Sequence, residues 1–171
     1  FRGGEGPLHV STVKDRLHPT CVNFLDAARE AGFQDNDDFN GADQEGMGCY
    51  QITARNGFRM STARAYLDPA KRRSNLKIIK NAHVTKVVME GNRATGVVYR
   101  KGDQETILMA RREVVLSAGA VNSPQILMLS GIGDPDEIKA NGIEVNVARN
   151  GVGQNLQDHI GLDYICRSRV P

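Results

Sequence analysis

The chain begins at Phe1 rather than Met, and nothing near it reads as a basic stretch followed by an apolar one, so neither a translation start nor a signal peptide is visible. The expectation is an internal stretch of a longer protein. No apolar run approaches the roughly 20 residues needed to cross a bilayer, which excludes a helical membrane span in this sequence. Cysteine is scarce: Cys21, Cys49 and Cys166 are odd in number, widely spaced and free of any Cys-x-x-Cys pair. That pattern suits reduced thiols better than a disulfide framework or a zinc site, and it points to a reducing, cytoplasmic compartment. No Asn-x-Ser/Thr sequon with a permitted middle residue occurs, which removes one positive sign of a secreted glycoprotein. Internal repeats, low-complexity tracts and a clear linker are all missing.

An excess of one charge is missing as well, with 22 basic against 20 acidic residues. The one dense basic cluster, Lys71, Arg72 and Arg73, has no interleaved aromatics to stack on bases, so it reads as a solvated helix end and not as a nucleic-acid contact. What remains is ordinary for a folded globule: 40% hydrophobic and 25% charged residues, slightly rich in glycine. A globule of this length buries roughly 70% of the surface its unfolded chain exposes.

Helical signals come first. Between Pro19 and Ala31 the apolar residues Cys21, Phe24, Leu25, Ala28 and Ala31 recur at helical spacing, and Gly32 supplies a stop. Asp35 to Gly48 is rich in Asp, Asn and Gly and reads as a long loop. A second helix is expected over Ser61 to Leu67, opened by a Ser cap and closed by Asp68-Pro69.

From Leu76 the texture turns to β. Strands are expected at Leu76 to Ile79, His83 to Met89, Ala94 to Tyr99, Thr106 to Met109 and Glu113 to Ser117, with hairpin turns at Gly91-Asn92 and Gly102-Asp103. The run Val114-Val115-Leu116 has no alternation, the pattern of a strand buried on both faces of a helix-covered parallel sheet. It ends at Ser117-Ala118-Gly119-Ala120, and a helix follows with Asn122 or Ser123 as cap, Pro124 near its first position and Gly131 as its stop. Strand, small-residue turn and helix N-terminus together present amide N–H groups at a sheet edge, where α/β folds bind nucleotides. Further on, Asp134, Pro135 and Glu137 open a short helix closed by Gly142, and Glu144 to Ala148 alternates as a strand.

Gly151-Val152-Gly153 follows a predicted strand but fails as a dinucleotide fingerprint, because Leu156 occupies the position where Gly or Ala is needed for helix–strand packing. Asn155, Asp158 and His159 cluster in the same loop. As an imidazole His159 is a candidate general base, though no Ser, Cys or carboxylate stands at a catalytic spacing from it. His9, His18 and His83 have no partners at metal-ligand spacing, and no metal site is expected.

The run Gly119-Ala120-Val121-Asn122-Ser123-Pro124-Gln125-Ile126-Leu127-Met128-Leu129-Ser130-Gly131-Ile132-Gly133 resembles the second signature of the glucose-methanol-choline oxidoreductases. Gly151 to His159, Arg59 to Ala70 and Asn81 to Val88 resemble the corresponding segments of the same family. The resemblance implies a mixed α/β fold. Part of an FAD-binding domain of the p-hydroxybenzoate hydroxylase type, residues 76–171, is interleaved with part of a substrate domain, residues 1–75. The implied cofactor is FAD, contacted by the backbone of Val84 at the adenine and by Ser117, Ala118, Gly119, Asn122, Asn155 and Asp158. The implied reaction is oxidation of a small primary alcohol by hydride transfer to flavin N5, with electrons then passed to oxygen, a quinone or a dye. The family's catalytic His lies in a segment not present here, so Asp158 and His159 are read as positioning residues, with His159 as the weaker alternative base. Ile160-Gly161-Leu162 stands where choline-oxidising members often carry an acidic residue, which favours a neutral alcohol, while Asp163 keeps choline open. Two other classes stay open on sequence grounds: a lyase on the same flavin fold, of the hydroxynitrile lyase kind, and a nucleotide-binding module without redox turnover.

Overall fold

The computed structural model describes residues 3–165 and 167, which leaves Cys166 outside the described residues. The chain divides into two compact units, Phe1–Ile78 and Ile79–Pro171.

In the first unit, α1 (Pro19–Glu30) starts as the sequence requires, with Pro at its first position and the His18 ring nitrogen accepting the Thr20 N–H at 3.3 Å. Gly32, at φ +90°, ends it: Gly32 N–H reaches Arg29 O and Phe33 N–H reaches Ala28 O, both at 3.0 Å, the double closure that needs a left-handed residue. The expected long loop is present and internally bonded. Met47 pairs with Asp35 in a bridge, and the Asn36 side-chain amide donates to the carbonyls of Asp43 (2.9 Å) and Glu45 (3.0 Å). A hairpin of β1 (Ala54–Arg55) and β2 (Phe58–Arg59) then turns at Asn56-Gly57, whose φ values of 51° and 78° define the left-handed turn that Asn-Gly favours. That dipeptide was the available signal for a hairpin absent from the sequence reading above.

Ser61 caps the second helix as expected, its hydroxyl accepting the Arg64 N–H at 3.3 Å. The stop at Asp68-Pro69 is corrected. Ala63–Leu67 forms a π turn in which Asp68 N–H bonds back to Ala63 O, and it runs into α2 (Asp68–Ala70). Asp68 keeps helical backbone (φ −59°, ψ −44°) before the proline. Pro69 has no N–H to place, and the widened turn takes the preceding carbonyls out of α register, so the ring is accommodated.

The second unit opens with an antiparallel meander of β3 (His83–Glu90), β4 (Arg93–Lys101) and β5 (Gln104–Met109). Two-residue turns join Glu90 to Arg93 and Lys101 to Gln104, with Gly91 (φ +57°) and Gly102 (φ +59°) in the first central positions. These strands and turns fall where the Val-rich runs and Gly-polar pairs put them. α3 (Gly119–Leu129) packs against β3 and ends at Gly131 (φ +77°). β6 (Ile132–Gly133) pairs in parallel with β7 (Val147–Ala148). Between them lies α4 (Pro135–Ala140), capped by Asp134 and closed at Gly142, with Ile138 fully buried.

Four expectations from Leu76 onward are corrected. Glu113 to Ser117 is not a buried central strand: it pairs with nothing among the described residues, and Val115 is 73% exposed. An apolar run states a demand for burial, but a ladder also needs a neighbouring backbone, and none is supplied. Leu76 to Ile79 is unpaired for the same reason, and the strand expected at Glu144 to Ala148 shrinks to Val147–Ala148. α3 starts at Gly119, so Pro124 lies inside the helix instead of at its start, and neither Asn122 nor Ser123 is the cap residue. Ser123 acts on the N-terminus from within, its hydroxyl accepting the Ala118 N–H at 3.0 Å. Proline is tolerated there because only one backbone bond, to the Ala120 carbonyl, is forfeited near the helix end.

Candidate functional site

β3 lies at the edge of the meander, with β4 on one side only. In an antiparallel ladder the N–H and C=O of successive residues point alternately to the two sides. Val87 points outward, since its N–H donates to the Ser130 hydroxyl at 2.7 Å instead of to β4. Regular alternation would then turn Thr85 outward and Val84 toward β4. The register shift between Val84 and Lys86 inserts one extra residue, Thr85, and reverses that parity. Val84, opposite Tyr99, therefore turns its backbone donor and acceptor to the open edge.

Ser117, Ala118, Gly119 and Asn122 are all exposed, at and just inside the N-terminal end of α3. Gly119 holds φ +88°, while a Cβ built on it meets nothing within 4 Å. Its requirement for glycine is therefore one of backbone conformation and not of space.

The loop after β7 is brought against α3. A cavity of about 620 Å³ is lined by Ala120, Val121, Pro124 and Met128 from the helix and by Gly153 and Leu156 from the loop. A Cβ on Gly153, at φ +79°, would stand 3.3 Å from the Met128 sulfur, so the glycine permits the close approach. Asn155 takes left-handed backbone at φ +56° and is exposed. Asp158 accepts the His159 backbone N–H at 2.8 Å, and no described residue hydrogen-bonds the His159 ring. The geometry thus groups Gly153 to Leu156 with α3 and leaves Asp158 and His159 in solvent.

Two residues that hold this unit together were not singled out in the sequence. Ser130, 4% exposed, accepts from Val87 N–H and donates to Ile126 O at 2.5 Å. Asn146 donates to Ser130 O. The available signal was slight: a serine immediately before the glycine that stops α3.

In the first unit the Arg29 guanidinium donates from Nε to both carboxylate oxygens of Asp35 at 3.0 Å. Those hydrogen bonds, reinforced by the charge of Arg29, hold the Asp35 carboxyl below its ordinary value against a smaller desolvation effect. The same bond raises Arg29.

The family model described as GMC oxidoreductase matches residues 1–161. The mitochondrial choline dehydrogenase of Mus musculus is 49% identical over 160 residues, 94% of this chain and 27% of its own length. The oxygen-dependent choline dehydrogenase of Brucella anthropi is 48% identical over 160 residues, again 94% of this chain and 29% of its own. Among solved structures, an FAD-dependent oxidoreductase from Chaetomium thermophilum superposes with a TM-score of 0.85 at 34% identity, over 92% of this chain and 28% of that one. The chain spans less than a third of the length of the curated relatives it matches.

Proposed function

The chain belongs to the GMC oxidoreductase family, and from that premise we propose that it forms the adenosine side of the cofactor site in a longer enzyme that oxidises a primary alcohol. The cofactor indicated by the family and by its structural neighbours is FAD. The observation that carries the reading is the outward backbone of Val84 on an edge strand. An N–H beside a C=O matches the adjacent acceptor and donor on the edge of an adenine ring, and it does so without any side chain.

The surface at Ser117 and Ala118 fits the same group, since small exposed residues let a flat nucleotide lie close to backbone, and Gly119 supplies the φ +88° turn that leads them into α3. Asn122, near the start of α3, and Asn155, in the loop after β7, offer exposed neutral side-chain amides. Asp158 holds its own loop by accepting the His159 N–H, so its part is positioning. FAD, when bound, supplies the acceptor for a hydride leaving the carbinol carbon. The proton of the substrate hydroxyl needs a base within about 2.6 to 3.2 Å, and a solvent-exposed His159 without a hydrogen-bonded orienting partner among the described residues is poorly placed for that task. The base comes from another part of the parent enzyme.

Residues 76–171 serve as the FAD-side segment and residues 1–75 mostly as substrate-domain segment. Surface area supports a larger body. The chain exposes 14731 Å², against about 10,000 Å² for two compact bodies sharing its mass. Apolar residues on that surface, Val115, Val121 and Leu156 among them, are of the kind that protein interfaces cover.

The named relatives make choline the first substrate to try, ahead of the neutral alcohols favoured by Ile160 to Leu162. They also favour redox turnover over the lyase reading. Among the described residues no helix is long and apolar enough to cross a membrane. Among the described residues Cys21 and Cys49 form no disulfide. Anaerobic addition of choline to the flavin-loaded parent enzyme should bleach its visible spectrum, and cyanohydrin cleavage without bleaching by choline or any simple alcohol would overturn the reading.

A further inference from the structure

The open edge of β3 carries backbone groups that need partners. At Val87, 6% exposed, the N–H finds one in the Ser130 hydroxyl, and that hydroxyl in turn donates a hydrogen bond to Ile126 O inside α3. Ser130 thus stands where the first residue of another strand would stand. It closes the edge at Val87, three residues from Val84, and leaves His83 to Lys86 with no second strand alongside among the described residues. Only a side chain that accepts and donates at once can bond a strand amide and a helix carbonyl together.

We infer that Ser130 is a positioning residue for the nucleotide: it ends the open edge of β3 and fixes that strand against α3, so that the base has one seating, at Val84. This rests on the reading of Val84 as the adenine contact and adds to it a residue that touches no cofactor. Removing the hydroxyl leaves the Val87 N–H buried and unpaired. The strand edge then recovers a partner only by shifting or by admitting water, and either change alters the seat three residues away.

The test uses the full-length enzyme stripped of flavin, as wild type, Ser130→Ala and Ser130→Thr. FAD affinity is read by fluorescence titration and AMP affinity by competition, alongside the bound flavin's redox potential and kcat at saturating FAD. Ser130→Ala should weaken FAD and AMP together by about tenfold, the order expected for one buried donor left unpaired. Its flavin potential and kcat should match wild type, and Ser130→Thr should restore both affinities to within about twofold. A folded Ser130→Ala enzyme with wild-type affinities overturns the inference, as does loss of FAD affinity without loss of AMP affinity. Should Ser130→Ala fail to fold, hydrogen exchange on the wild type decides: AMP must slow exchange across residues 83–87, and no slowing refutes the seat. A wild type that binds neither FAD nor AMP refutes the functional reading itself, whereas binding of both with no effect of Ser130→Ala refutes only the role of Ser130.

Discussion

Asn146 donates its side-chain amide to the carbonyl of Ser130 at 2.8 Å, and its backbone N–H reaches the next carbonyl, Gly131, also at 2.8 Å. This pair of bonds ties the approach to β7 to the end of α3, where the Gly131 backbone at φ +77° leaves no room for a Cβ against the Glu144 carbonyl.

Gly131→Ala should therefore destabilise the fold by about 2 to 4 kcal/mol, since left-handed backbone and a steric conflict with main chain act together. Asn146→Ala should cost about 1 to 2 kcal/mol by leaving the partly buried Ser130 carbonyl short of a donor. Urea unfolding midpoints of the two variants, with unchanged slopes, check both values.

At Gly119 the requirement is conformational. Gly119→Ala and Gly119→Val in the parent enzyme should reduce FAD retention to a similar extent, by up to about tenfold, because either residue strains the φ +88° backbone by about 1 to 3 kcal/mol. Flavin-to-protein ratios after gel filtration give the readout. A much larger loss for Val than for Ala would point to a steric cause that the open surroundings of Gly119 do not supply.

The Arg29–Asp35 pair predicts a pH dependence in the first unit. Asp35 is held below 3.8 when folded, so it binds its proton more weakly in the folded than in the unfolded state. The stability it adds is fully present above the unfolded carboxylate range and is lost as pH falls through the lowered folded value. Both side chains are about half exposed, so the effect is small and falls with salt. Carboxyl titration by NMR should show the Asp35 value rising when Arg29 is replaced by Gln, and an unchanged value would remove Arg29 as the cause.

The 171-residue chain expressed alone should neither hold FAD tightly nor reduce a dye in the presence of simple alcohols. Gly151 to Leu156 does not make a pyrophosphate-binding fingerprint, and the His159 ring has no hydrogen-bonded partner among the described residues. The edge of β3 from His83 to Lys86, with no second strand alongside among the described residues, and the exposed apolar residues also predict low solubility. Stoichiometric micromolar FAD binding together with dye reduction would move catalysis into this segment and make His159 the base.

Much of the local structure was legible from short range alone. Gly32, Gly131 and Gly142 stop their helices, Asp134 caps α4, and Gly91 and Gly102 turn the meander, because each of these depends on bonds between residues a few positions apart. That Val114 to Leu116 forms no strand among the described residues was not legible, since a ladder is a property of two segments and the sequence of one says nothing of its neighbour.

For the candidate site, the sequence by itself determined the small residues at Ser117 to Gly119, the β3 strand and the resemblance that drew attention to Val84. Only the tertiary structure decided which way Val84 faces, through a one-residue bulge at Thr85, and what closes the edge beside it, through a bond between Ser130 and Val87, 43 positions apart. A bulge reverses the side to which a backbone group points without altering the hydrophobic pattern, and a hydroxyl looks the same in sequence whether it meets water or a buried amide.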